Sequence, residues 1–210
     1  MTDIYKKKEP DTSAFGSFDD CPNLGILDSA ICFAAHAHAG QLRKDGVPFI
    51  LHPLEDAAVV GTMTTDRETL AAAVLHDTVE DTAVTSEQIR ERFGERVYAL
   101  VMHETETKRA NLPPDATWRI RKEESLAALA EADDPAVKML WLGDKLSNMR
   151  ALHRAFFAEG DSFFSRLNNP DPKAHRWYYG TILGLLKELE GYPAYQEFSK
   201  LYHEVFDRYE

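Results

Sequence analysis

The sequence predicts an all-α fold, a single-domain helical bundle. Three observations predict it. From Leu24 onward apolar residues recur at helical spacing almost throughout. No segment of useful length alternates apolar and polar residues as a half-buried strand would. Gly and Pro clusters fall between the periodic stretches. With 210 residues, 44% hydrophobic and 28% charged, the chain is long enough to bury one core. Residues 24–210 read as one domain. Residues 1–23, with the Lys6–Lys8 run, Pro10 and Pro22, read as a flexible N-terminal arm.

ILDSAICFAAHAHAG carries a helical stripe, with Gly40 as its stop. QLRKDGVPFILHP is a loop, and its Pro53 suits the first turn of the next helix, LEDAAVVGTM. A helix opening near Thr65 or Asp66 runs through RETLAAAVLHDTVED; its alanines permit close packing and place it at the centre of the bundle. Thr85 and Gln88 form a capping-box pattern opening SEQIRERF, which Gly94 is expected to end, and ERVYALVMHETETK follows as a separate amphipathic segment. RANLPPDA is a loop, because adjacent prolines cannot continue a helix; WRIRKEESLAALAEA comes after it. Asp134–Pro135 is an N-cap and first helical position for AVKMLWLGDKLSNMRALHRAF. NNPDPK breaks the chain again, before HRWYYGTILGLLKELEG and AYQEFSKLYHEVFDRY.

Composition narrows the function. Acidic residues number 35 against 24 basic, a formal charge of −11, the wrong balance for a protein whose partner is duplex nucleic acid. An anionic small molecule then needs a local cation, a metal ion or a tight Arg/Lys pair. No run approaches the ~18 apolar residues of a membrane span, and the N-terminus lacks the apolar stretch of a secretory signal. Cys21 and Cys32 fit a reducing cytoplasm; neither has an activating neighbour.

The chemistry concentrates in Val74-Leu75-His76-Asp77-Thr78-Val79-Glu80-Asp81. Glu80 lies four residues after His76, and Asp81 four after Asp77, so each pair stacks on one side of a helix. A solvated charged helix end is the plain alternative. His52, just before Pro53, and Asp144, between Leu142 and Leu146, add to the case. An aspartate on an apolar helix is expensive to bury unless it meets a cation or a donor. Two imidazoles and two carboxylates suit Mn²⁺, Fe²⁺ or Zn²⁺, and spacing alone does not choose.

AHAGQLRKDGVPFILHPLEDA, LAAAVLHDTVEDTAVTSEQIRERFGERVYALV and LGDKLSNMR occur in that order, within residues 26–155. Together they resemble the hydrolase domain of the RelA/SpoT alarmone family, within the HD phosphohydrolase superfamily, and most of all its short members, the small alarmone hydrolases. The resemblance implies an all-helical HD-type fold, a Mn²⁺ ion (another divalent metal being the alternative) and removal of pyrophosphate from the 3′ position of (p)ppGpp. On it, His52, His76, Asp77 and Asp144 match the metal ligands, and Glu80 and Asp81 the acidic pair that positions or deprotonates water. Arg43 and Lys44 match the basic pair of the nucleotide loop, and Asn148 a ribose contact. Ala151 stands where threonine is frequent, Phe49 where tyrosine is common and Gly143 where alanine is common; the last two read as tolerable. The stretch ETETKRANLPPDATWRIRKEE has no close counterpart.

His36 and His38 read as packing or hydrogen-bonding residues, and His103, His153, His175 and His203 as surface or groove residues. Arg119, Arg121 and Lys122 read as an exposed helix face or, alternatively, a clamp for the distal phosphates. Trp177 and Tyr179 read as core or groove aromatics, and Tyr178 as lining the nucleotide pocket. The expectation is therefore a cytoplasmic (p)ppGpp hydrolase without a synthetase, with a nucleotide as partner, no nucleic acid or membrane, and a homo-oligomer as an open possibility. A (p)ppApp hydrolase or an NADPH 2′-phosphatase would share the site. An alarmone-binding sensor without turnover is the alternative of another class, and the absence of a GYP triplet argues against a cyclic-dinucleotide phosphodiesterase.

Overall fold

The computed structural model describes residues 24–209 except 108 and 110; the arm expected over 1–23 lies outside the described residues. The described residues form helices with no strand, apart from one bridge, Leu42 to Pro48, that closes the first loop. In order these are α1 (Ile26–Ala37), α2 (Leu51–Val60), α3 (Arg67–Leu75), α4 (Thr78–Asp81), α5 (Ser86–Glu104), α6 (Pro114–Glu131), α7 (Pro135–Glu159), α8 (Pro172–Leu185) and α9 (Pro193–Phe206). Short 3₁₀ turns follow α7, α8 and α9.

The boundaries have local causes. Asp66 accepts from Thr69 N at 3.1 Å, Asp134 from Ala136 N at 2.9 Å and Asp171 from Lys173 N at 2.9 Å, each supplying an acceptor to an otherwise orphan N–H. Thr85 and Gln88 form the reciprocal box, with Thr85 N donating to Gln88 Oε1 at 2.9 Å and Gln88 N to Thr85 Oγ1 at 3.3 Å.

Two expectations need correction. The helix expected through residues 65–81 breaks at His76–Asp77. There His76 Nδ1 donates to Ala73 O (2.7 Å) and Thr78 Oγ1 to Leu75 O (2.6 Å). Side chains thus take the last carbonyls of α3, and the chain restarts as α4. Gly94 interrupts the helix as expected: at φ +86° it is non-helical and divides α5 into two helical segments, the second of which buries Val97, Leu100 and Val101. The paired prolines close their loop and open α6, Pro113 at its N-cap and Pro114 at the first position.

The long α7 packs against α2, α3 and α9 and buries Leu140, Trp141, Leu142, Leu146 and Met149. Each such side chain contributes about 1.5–3 kcal/mol on burial. The alanines of α3 are fully enclosed between α1, α2 and α5, as their size predicts. The outcome is a rigid floor, with α2, the α3–α4 break and the middle of α7 converging on one point.

Candidate active site

His52 comes from the first turn of α2, His76 and Asp77 from the α3–α4 break, and Asp144 from the middle of α7. His52 Nε2 lies 3.2 Å from Asp144 Oδ1 and 3.4 Å from Asp77 Oδ2; His76 Nε2 lies 3.1 Å from Asp77 Oδ2 and 3.9 Å from Asp144 Oδ1. Ligand atoms of His52, His76 and Asp144 all fall within 4.8 Å of one another. His52 and Asp144 are each 5% exposed and His76 3%, so this is an enclosed constellation and not a solvated helix end.

Both imidazoles are oriented from behind. Ser147 Oγ donates to Glu55 Oε2 at 2.7 Å, so toward His52 Nδ1, 2.9 Å away, it is the acceptor and Nδ1 carries the proton. His76 Nδ1 donates to Ala73 O. Each ring thereby turns an Nε2 lone pair toward the carboxylates, and His76 Nε2 is buried without a hydrogen-bond partner. Two fixed imidazole nitrogens facing two carboxylates form a donor set that fits a divalent cation. Ser147 and Glu55 escaped sequence reasoning. Glu55 is further held by Arg150 (3.0 Å), whose guanidinium also takes Glu197 in a two-pronged pair.

Electrostatics agree with a cation seat. Burial pushes Asp144 upward, yet the Lys145 ammonium, His52 and His76 outweigh it and hold the carboxyl well below its usual range. Asp77 behaves likewise, burial opposed by His76 and His52. Burial pushes the His76 imidazole down, but Asp77 and Asp56 carry it well above its ordinary value. The facing aspartates favour the protonated form of both imidazoles, and a divalent cation would compete with those protons.

The expected substrate residues are partly assembled. Arg43 donates to Asn148 Oδ1 at 2.9 Å, and Asn148 Nδ2 donates to Asp144 Oδ1 at 2.5 Å, so the first loop is tied to the ligand helix. A groove of about 280 Å³ opens here, lined by Arg43, His52, Glu55, Ala151 and Arg154. Lys44 reaches across to Arg166 O (3.2 Å) and Asn168 Oδ1 (3.4 Å). Glu80 accepts from Glu106 N at 3.1 Å, and Asp81 O from Gln41 Nε2 at 2.9 Å. His38 is a packing residue, as expected: it bonds Gln41 at 2.8 Å and stacks on Phe49, centroids 4.7 Å apart.

The remaining candidates lie elsewhere. Tyr178 is 3% exposed among Trp118, Trp177 and Tyr179, with Lys122 Nζ 4.8 Å from its ring centre. The basic cluster is split. Arg119 stacks 3.4 Å over Trp177, whereas Arg121 and Lys122 are balanced by Glu106 at 2.7 and 2.6 Å. It is therefore not a simple exposed face. His175 is buried against Trp118 and Phe164 instead of lying in a groove. Gly143 is not interchangeable with alanine, because an added Cβ would overlap Asp56 Oδ1 and approach Val60 Cγ2 to 2.8 Å.

The HD domain family matches residues 30–172, a span that contains both histidines, both aspartates, Glu80, Asp81, Arg43, Lys44 and Asn148. The chain belongs to the HD domain family. This HD domain is 43% identical over 126 residues to the guanosine-3′,5′-bis(diphosphate) 3′-pyrophosphohydrolase of Aquifex aeolicus, covering 60% of this chain and 18% of that one. It is 40% identical over 145 residues to a probable GTP pyrophosphokinase of Mycobacterium leprae, 69% of this chain and 18% of that one. The chain thus spans less than a fifth of the length of these curated relatives. Among solved structures, the lmo0812 protein of Listeria monocytogenes EGD-e superposes with a TM-score of 0.64 at 29% identity, over 74% of this chain and 99% of that one. A metazoan ortholog of SpoT, described as hydrolysing ppGpp, superposes at 0.62 with 23% identity, over 90% of this chain and 97% of that one, a likeness of fold. No helix among the described residues is long and apolar enough to cross a membrane.

Proposed function

We propose that this HD domain is a divalent-metal-dependent phosphohydrolase that removes pyrophosphate from the 3′ position of (p)ppGpp, leaving GDP from the 5′-diphosphate and GTP from the 5′-triphosphate. The observation that carries the reading is the pair of imidazoles, each fixed through Nδ1, turning Nε2 toward Asp77 and Asp144 beside an acidic pair and a basic groove. The name of the Aquifex aeolicus relative supports the choice of nucleotide. His52, His76, Asp77 and Asp144 would hold the ion, Mn²⁺ in this reading, whose charge, when it is bound, polarises a phosphoryl oxygen.

The chain's own residues do the rest. Glu80 and Asp81 accept the proton of the attacking water as its oxygen bonds to the phosphorus next to O3′. The P–O3′ bond breaks and its electron pair stays on O3′, which takes up a proton to become the 3′ hydroxyl; pyrophosphate leaves with the water oxygen. Glu106 N holds the Glu80 carboxylate in place before substrate arrives. Arg43 and Asn148, already joined, receive the ribose and base, and Lys44, next to Arg43, ties the loop to Arg166 and Asn168. The small number of cysteines supports a cytoplasmic setting.

The test is parallel turnover of ppGpp, ppApp and NADPH with Mn²⁺, the products separated by anion-exchange chromatography. Pyrophosphate and GDP from ppGpp are expected. Orthophosphate from NADPH alone would move the substrate, and metal binding without any turnover would favour a sensor. Glu80→Gln is expected to keep its metal and to lose turnover by about 10²–10⁴-fold.

A further inference from the structure

Directly behind His76 lies a second acidic group that the proposed reaction does not use. Asp56, on α2, is 0% exposed, and neither of its carboxylate oxygens has a hydrogen-bond partner; both oxygens of Glu104, at the end of α5, are enclosed and unpartnered as well. Unpaired buried carboxylates are among the costliest groups a fold can carry, so their retention calls for a cause. Asp56 Oδ2 stands 3.2 Å from His76 Nδ1, and ligand atoms of Asp56, His76 and Glu104 lie within 4.8 Å of one another. Room for Asp56 exists because residue 143, on the facing helix α7, is glycine.

We propose that Asp56 is a positioning residue for the metal centre, acting through His76. The inference rests on the assignment of His76 as a metal ligand. The carbonyl of Ala73 already fixes the proton on Nδ1. Asp56 adds a carboxylate 3.2 Å from the same nitrogen without taking its proton, and the negative charge of its ionised form behind the ring makes Nε2 a stronger donor to the ion. Glu104 brings a second carboxyl group to the same chamber from α5. Folding stability is sacrificed for metal affinity: the acid is a liability to the empty protein and an asset to the loaded one. The same three residues do not form a second cation site here, because Nδ1 spends its proton on Ala73 O and has no lone pair to offer.

Calorimetric titration of the full chain with Mn²⁺, paired with thermal melts of the metal-free protein, tests this. Wild type is expected to bind one equivalent. Asp56→Val, nearly isosteric and apolar, is expected to melt higher without metal yet to bind Mn²⁺ about 10–100-fold more weakly. Asp56→Asn is expected to weaken binding in the same direction, and Co²⁺ absorption spectra of both variants should shift from wild type. A role in packing alone would lower the melting temperature and leave the affinity in place. Unchanged affinity in both variants would overturn the inference while leaving the hydrolase reading intact. A second equivalent bound by wild type and lost in Asp56→Val would replace positioning with a second metal. No Mn²⁺ binding by wild type would overturn both readings.

Discussion

Asp144 shows how much one side chain carries. Its carboxylate pairs with Lys145, receives Asn148 and stands 3.2 Å from His52 Nε2, all inside an apolar helix face. Asp144→Asn removes a cation ligand and leaves the Lys145 ammonium enclosed without its counter-charge. The expected result is loss of metal binding and a destabilisation of about 3–5 kcal/mol, read by urea unfolding. Glu104 makes a pH prediction. Burial raises its carboxyl from the ordinary 4.5 to about 7. Its contribution to stability is therefore fully present below the unfolded value and is lost as pH rises through about 7, by about 3 kcal/mol at most. Melts of the metal-free protein across that window should fall, and Glu104→Gln should flatten the slope. At this scale the proposed ligands were legible as a cluster: a His–Asp pair in an apolar context and an aspartate between leucines stand out locally. Ser147, Glu55, Asp56 and Glu104 do not, because their meaning depends on partners far away in the chain. Ser147 and His52 are 95 positions apart.

Helix starts were legible wherever a single residue decides them, as at Asp66, Thr85 and Asp134. Where two causes compete, periodicity misled. The apolar stripe runs through HDTVED without a breaker, yet side-chain bonds from His76 and Thr78 divert the carbonyls and break the helix where the ligands are needed. At Gly94 a breaker is present and the helix does break, its φ of +86° dividing α5 into two segments. Close approach of α2 to α7 is the element-level constraint that sequence could not show. Gly143→Ala pushes a methyl into Asp56 and Val60, and is expected to cost about 1–3 kcal/mol in chemical denaturation while also weakening Mn²⁺ binding.

At the scale of the molecule, an all-α fold and one buried His/Asp constellation were readable from periodicity and three ordered motifs. The long segment after α5 was not, because its role is topological. Its Glu106 gathers Arg121, Lys122 and Ser125 through its side chain and holds Glu80 through its backbone N–H, coupling α6 to the acidic pair. The charge of −11 surrounds this site, so a polyanionic nucleotide has to be drawn in by the ion and a few local cations. The central claim, attack of water at the 3′-linked phosphorus, is tested most directly by Mn²⁺-supported turnover of ppGpp in isotopically labelled water, with Asp77→Ala as the blank. The account predicts one labelled oxygen in the pyrophosphate, none in the GDP and no product from the variant. Labelled orthophosphate, or no turnover by protein that has bound its metal, would contradict it.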